Sequence, residues 1–221
     1  MKPLIPHAQN ESSLPPFEEL LKESVRLHGH LCPGQVVGVR LAMLGLKLTG
    51  ISDPKGRDRK SLIVYVEIDR CATDAIQSVT GCSLGKRSLK WIDYGIMAAT
   101  FVNLRTGKAF RIVGRESARE LAKNYRPDIE DKYKRQTEAY KVMSDEELFD
   151  VMEVRVDIPK ESMPGPPLRR VPCEQCGEYV QNCREVELDG RTLCRKCAYG
   201  AYFQPVGKKD RTQQGTSEET H

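Results

Sequence analysis

The sequence predicts an α+β core domain followed by a small C-terminal module of the treble-clef or zinc-ribbon type. Three observations carry that prediction. Apolar residues recur at helical spacing from Phe17, strand-type runs follow from Leu62, and two Cys-x-x-Cys pairs close the chain behind a proline-rich break. A length of 221 residues fits one medium domain with one accessory module. The expected division is a core over 14–160, a linker over 161–170, a four-cysteine finger over 171–205 and a disordered tail over 206–221.

Residues 1–13 read as a loose lead-in. Phe17, Leu20, Leu21, Ser24, Val25 and His28 then fall on one helical stripe, so His28 points with the buried face. Pro33 suits the first turn of a second helix, and Gly34 to Leu48 is apolar nearly all round, with Arg40 and Lys47 as its main charges. After a polar turn over 51–60, Leu62 to Ile68 reads as a strand with Leu62, Val64, Val66 and Ile68 on one face. A short helix follows from about Ala72 to Val79, ended by Gly81. Two strands, Tyr94 to Asn103 and Ala109 to Val113, join through Arg105-Thr106-Gly107-Lys108. Ser117-x-x-Glu120 reads as a capping box opening a helix to about Asn124. Asp128 to Val142 is polar and helical, Ser144-x-x-Glu147 caps one more short helix, and Val154 to Ile158 looks like a closing strand. Pro159 to Pro172 has linker chemistry.

Thirty-five basic and 31 acidic residues leave a formal charge of +4, too balanced to indicate nucleic-acid binding. A hydrophobic content of 39%, no bilayer-length apolar run and no secretory h-region make the cytoplasm the expected location. There the reducing environment turns eight cysteines toward metal binding or catalysis rather than disulfides.

Cys173-x2-Cys176 and Cys194-x2-Cys197 are separated by 17 residues, the spacing of a closed four-thiolate zinc site. Asp189-Gly190 between them is a hairpin turn, and the segment from Cys197 to Phe203 reads as a short helix carrying the last ligand. Such a site is structural: a finger of this size folds on its metal. Cys183 is left as a free thiol. The finger's mixed charges argue against a nucleic-acid footprint and for protein contact, while Lys208, Lys209 and Arg211 leave a weak electrostatic contact in the tail.

In the core, His28-Gly-His30-Leu-Cys32-Pro-Gly34 crowds imidazole and thiol at a helix junction. Cys71, Asp74 and Ser78 share one helical face, and Gly81-Cys82-Ser-Leu-Gly85-Lys86 forms a glycine-bracketed loop whose amides suit an anion or cofactor. Each thiol taken singly also has a packing explanation. Together His30, Cys32, Cys71 and Cys82 are the candidate ligands of a second metal, with His28 supporting and Asp74 orienting a ligand. Cys32, Cys82, Asp74 and Lys86 are the candidate catalytic residues, Lys86 as the anion contact.

Those segments, with Cys71-Ala-Thr-Asp-Ala-Ile-Gln, Thr80-Gly-Cys-Ser-Leu-Gly-Lys and Asp93-Tyr-Gly-Ile-Met-Ala, resemble the formylmethanofuran dehydrogenase FmdE family over about residues 17–160. The resemblance implies an α+β core that dimerises, a treble-clef finger with Zn2+ on Cys173, Cys176, Cys194 and Cys197, and a cleft lined by Cys32, Cys71, Cys82, His28, His30 and Asp74. No molybdopterin signature or ferredoxin-type cysteine array accompanies it, which argues against free-standing formylmethanofuran oxidation. Two functions follow as expectations. One is a metal or redox protein of one-carbon or molybdenum-enzyme metabolism, acting as an accessory component of such an oxidoreductase. The other is a non-catalytic adaptor whose finger docks a protein partner.

Overall fold

A computed structural model describes residues 14–206; the expected lead-in over 1–13 and all but the first residue of the expected tail lie outside them. The chain divides into two compact units, with the division after Gly165.

The first unit is built on α1 (Phe17–His28), α2 (Pro33–Thr49), β1 (Leu62–Val66), α3 (Cys71–Thr80), β2 (Leu89–Trp91), β3 (Ala98–Asn103), β4 (Ala109–Gly114), α4 (Ser117–Tyr125), α5 (Lys132–Tyr140), α6 (Asp145–Leu148) and β5 (Phe149–Glu153), with a 3-10 turn at Lys160–Ser162. The strands form one mixed sheet in the order β2-β1-β3-β4-β5, parallel only between β1 and β2. The apolar stripe of α1 buries Leu20, Leu21 and Ser24, and Gly29 in the left-handed region (φ 98°) stops the helix. Pro33 then starts α2, whose burial on several sides matches its unbroken apolar sequence.

Close approach of helices sets the site. A Cβ added at Gly38 of α2 would lie 2.7 Å from both the Cα of Ala72 and the Cβ of Ala75 on α3, so only glycine lets the two helices meet there. Gly45 makes the same allowance for the ring of Phe101 on β3.

Several boundaries differ from the sequence reading. The closing strand is Phe149–Glu153, not Val154 to Ile158, because β4 begins at Ala109, whose carbonyl takes the Val154 amide and ends the ladder. Ser117 is already helical: the chain turns at Glu116, the N-cap position has no side-chain bond, and the expected capping box is not formed. Ser144 and Glu147 do form theirs. The strand expected from Tyr94 starts only at Ala98, since the amides of Tyr94 and Ile96 bond the Glu67 carbonyl in a loop. The helix expected from Asp128 begins at Lys132, capped by Asp131. Strand β2 has three residues and no turn signature, and escaped the sequence reading.

The second unit holds two hairpins, β6 (Arg170–Pro172) with β7 (Tyr179–Gln181) and β8 (Val186–Leu188) with β9 (Arg191–Leu193), then α7 (Arg195–Tyr199). The β8–β9 turn is Asp189-Gly190, both at positive φ (50° and 71°), as an Asp-Gly hairpin requires. Among the described residues, no helix is long and apolar enough to cross a membrane.

Candidate functional site

The ends of three helices converge in the core. His28 is the last residue of α1, Cys32 is the N-cap of α2 and Cys71 is the first residue of α3. One ligand atom from each lies within 4.8 Å of the other two. Gly34 permits this closeness: a Cβ there would sit 2.8 Å from the Cβ of Cys71 and 3.7 Å from the Sγ of Cys32. Both thiols thus belong to the amide ends of helices and the imidazole to a carbonyl end, the helix ends whose dipoles favour an anion and a cation respectively.

The surroundings specify the imidazole. Its Nδ1 lies 2.8 Å from the Asp74 carboxylate, one turn along α3, which fixes the tautomer and leaves Nε2 as the nitrogen free to take a ligand. That Nε2 is buried and has no hydrogen-bond partner. A buried polar atom left unpaired costs roughly 1–3 kcal/mol, so its orphaning needs an explanation. Burial pushes the Cys71 thiol up, and the neighbouring Cys32 adds to the rise. Two sulfurs and one imidazole nitrogen form a borderline-soft donor set, and a three-ligand set of this type leaves a fourth position open.

A buried polar chain holds Cys71 in place. Ser24 of α1 donates to the Gln35 side-chain oxygen, and Gln35 Nε2 donates to the Cys71 carbonyl at 2.6 Å. Both Ser24 and Gln35 are fully buried. Sequence reasoning missed this role of Gln35. Gln35 is the one amide side chain in α2, and that was the available signal.

The sequence-expected residues separate into two places. Cys32, Cys71 and Asp74 come together, with His28 rather than His30 as the imidazole of the cluster. His30 is exposed, its ring 4.7 Å from that of His28. Cys82 and Lys86 lie beyond the opposite end of α3, and a helical rise of 1.5 Å per residue separates Cys82 from Cys71 by about 16 Å. Cys82 is buried with its Sγ 3.9 Å from the Leu62 carbonyl, and burial pushes its thiol up. Lys86 Nζ donates to the Gly81 carbonyl at 2.9 Å.

In the second unit, Cys173, Cys176, Cys194 and Cys197 bring their sulfurs within 4.8 Å of one another. The first pair sits on the β6–β7 knuckle, the second at the start of α7, with the β8–β9 hairpin between. The amide of Cys194 holds the Cys173 thiol down to about 6, while burial and then the other thiols push Cys197 up to about 12. Four sulfurs this close deprotonate as one set, which a metal of the zinc type favours. All eight cysteines are unbridged, and Cys183 is exposed apart from both clusters.

Residues 27–157 match the family model described as FmdE, molybdenum formylmethanofuran dehydrogenase operon. A "probable S-adenosyl-L-methionine-binding protein" of Archaeoglobus fulgidus is 31% identical over 214 aligned residues, covering 86% of this chain and 55% of that protein. The chain thus spans about half the length of this curated relative. The crystal structure of a tungsten formylmethanofuran dehydrogenase FmdE-like protein from Syntrophus aciditrophicus superposes with a TM-score of 0.57 at 20% identity, covering 85% of this chain and 95% of that one. That likeness is one of fold.

Proposed function

The chain belongs to the FmdE family, and from that premise we propose that it is a metal-binding protein with two different centres. The core centre takes a divalent metal on His28 Nε2, Cys32 and Cys71, with Asp74 orienting the imidazole. The second takes structural zinc on Cys173, Cys176, Cys194 and Cys197. The observation that carries the core reading is the buried, unpartnered Nε2 of His28 beside two thiols. A metal held by these residues would supply Lewis-acid chemistry there. The chain's own residues orient the imidazole through Asp74, brace Cys71 through Gln35 and Ser24, and keep Cys82 and Lys86 in a separate, supporting role.

Membership in a family described by a molybdenum dehydrogenase operon supports work beside such an enzyme in one-carbon metabolism, as an accessory protein in the cytoplasm. Homodimer formation is proposed through the first unit, where Trp91, Ile92, Tyr94 and Ile96 are exposed beside edge strand β2.

The experiment is metal content per chain. Wild type should hold two, Cys173→Ser/Cys176→Ser one, and His28→Ala/Cys71→Ser one. A wild-type value of one that falls to none in the finger variant leaves the core without a metal and overturns the reading. Cys82→Ser should retain both metals.

A second reading, the adaptor, has its own support. The finger unit exposes Tyr179, Tyr199, Tyr202 and Phe203, side chains enriched where proteins dock. S-adenosyl-L-methionine, named for a relative of which the match covers 55%, is a further small molecule to titrate against both units.

A further inference from the structure

The Cys32 and Cys71 cluster does not lie in a closed core. Both residues form one wall of a cleft of about 560 Å³, within the size range of small-molecule sites. Its other lining divides by chemistry. Val37, Ile68, Met97 and Leu148 make an apolar side, while Arg70, Arg115, Arg119 and Lys132 contribute cationic side chains. One carboxylate, Glu116, is among the lining residues and is already paired with Arg119 at 2.9 Å, while Glu120, outside the lining, lies within electrostatic reach of Lys132. Arg115 is held by Asp150 from outside the cleft. Arg70 and Lys132 have no ion pair among the described residues.

These positions come from separate elements. Arg70 immediately precedes α3, Arg115 and Arg119 flank the start of α4, and Lys132 opens α5. Their convergence on one opening therefore does not follow from a single basic run in the sequence. A divalent metal on two thiolates and one neutral imidazole would carry no net charge, and Asp74 behind the imidazole adds one negative charge, so attraction of an anion would come from the cationic rim. Arginine forks match carboxylate and phosphate oxygens alike.

We propose that this cleft binds a small organic anion, a carboxylate or a phosphate monoester with an apolar body, whose charged group meets Arg70 and Lys132 and whose body lies along Val37, Ile68, Met97 and Leu148. The proposal deepens the core-metal reading by naming the ligand class of that same site. It rests on that reading only for the ligand's innermost approach to the cluster.

The test titrates benzoate, phenyl phosphate and the neutral benzamide into the full-length protein, observed by two-dimensional amide NMR and, for Co2+-loaded protein, by visible absorption. Benzoate or phenyl phosphate should shift amides around Cys71, Ala118 and Tyr133 and bind at least tenfold more tightly than benzamide, and binding should weaken with added salt. The preferred anion of the two identifies the headgroup. Arg70→Gln/Lys132→Gln should weaken anion binding at least tenfold with the fold intact by circular dichroism. Arg59→Gln/Lys60→Gln, on a different surface, should bind as wild type does. Equal binding of benzamide and the anions, or no effect of the Arg70/Lys132 pair, overturns the proposal. Repeating the amide titration on metal-free protein separates the two readings. Anion binding without Co2+ uptake fails the metal centre alone, and Co2+ uptake without anion binding fails the cleft alone.

Discussion

Replacing Asp74 isolates one hydrogen bond in the core centre. The 2.8 Å bond to His28 Nδ1 fixes which nitrogen is free to take a ligand, so Asp74→Ala frees the imidazole to exchange tautomers and rotate. Loss of an outer partner of a ligating histidine typically costs 10–100-fold in metal affinity, about 1.4–2.7 kcal/mol. The cost in fold stability should be smaller. Asp74 is half-exposed, so water can replace it, and its charge in the first turn of α3 contributes about 0.3–1 kcal/mol through the helix dipole. That predicts a melting temperature lowered by about 1–4 °C in metal-free protein. Asp74→Asn keeps an acceptor and loses the charge, so its affinity should fall between wild type and Asp74→Ala. The assay is competition for Co2+ or Zn2+ against a chromophoric chelator, in the Cys173→Ser/Cys176→Ser background so that only the core is read. Affinity unchanged in Asp74→Ala refutes the orienting role. Affinity lost equally in both variants refutes the hydrogen bond as its source.

Other perturbations address the rest of the molecule. Gly38→Ala places a Cβ 2.7 Å from Ala72 and Ala75, forcing α2 and α3 apart; overpacking predicts a loss of about 1–3 kcal/mol in chemical denaturation, and core metal affinity should drop with it. Asp58 is a pH test. Burial alone would raise its carboxyl, but the Asp53 amide, Arg105, the Ser52 amide and Arg57 outweigh that and hold it at about 2, against an ordinary 3.8. The folded state therefore favours the ionised form, and the resulting stability, about 2 kcal/mol, is complete above pH ~4–5 and disappears as pH falls through about 2. In urea melts the gap between wild type and Asp58→Asn should close over that window; a gap constant from pH 6 to 2 contradicts the assignment. Chelator should abolish the amide dispersion of the finger unit while leaving the β3 and β4 resonances of the core in place.

The parts of this fold that could be read in the sequence are those whose cause is local. The stripe of α1, Pro33 at the head of α2, Asp189-Gly190 and the Ser144–Glu147 box each carry their physics within a few residues. Strand β2 carries none: its three residues are ordered by pairing with β1, which no window on the chain reveals. The four-cysteine finger was equally plain, because its spacing is its chemistry. The core cluster was legible only in part, since of the expected ligands His30, Cys32, Cys71 and Cys82 only Cys32 and Cys71 belong to it. Cys32, Cys71 and Asp74 stood out as reactive types at helix ends, but the choice between His28 and His30 depends on where the end of α1 meets α3, a contact across more than forty residues. The inward stripe that suggested a supporting role for His28 is what delivers it to the thiols. Gln35 stayed hidden because its partners, a serine side chain and a backbone carbonyl, leave no pattern.

The meeting of α1, α2 and α3 at their termini also bears on how the chain unfolds. A bridge from residue 28 to residue 71 closes a loop that contains all of α2 and β1, an interior strand of the sheet. In the chain-entropy picture, tying a loop of about 40 residues withdraws about 4 kcal/mol of freedom from the denatured ensemble. A ligand shared among these three ends would act as a reversible staple, and its presence should register in the slowest-exchanging amides of β1 as well as at the helix ends it touches.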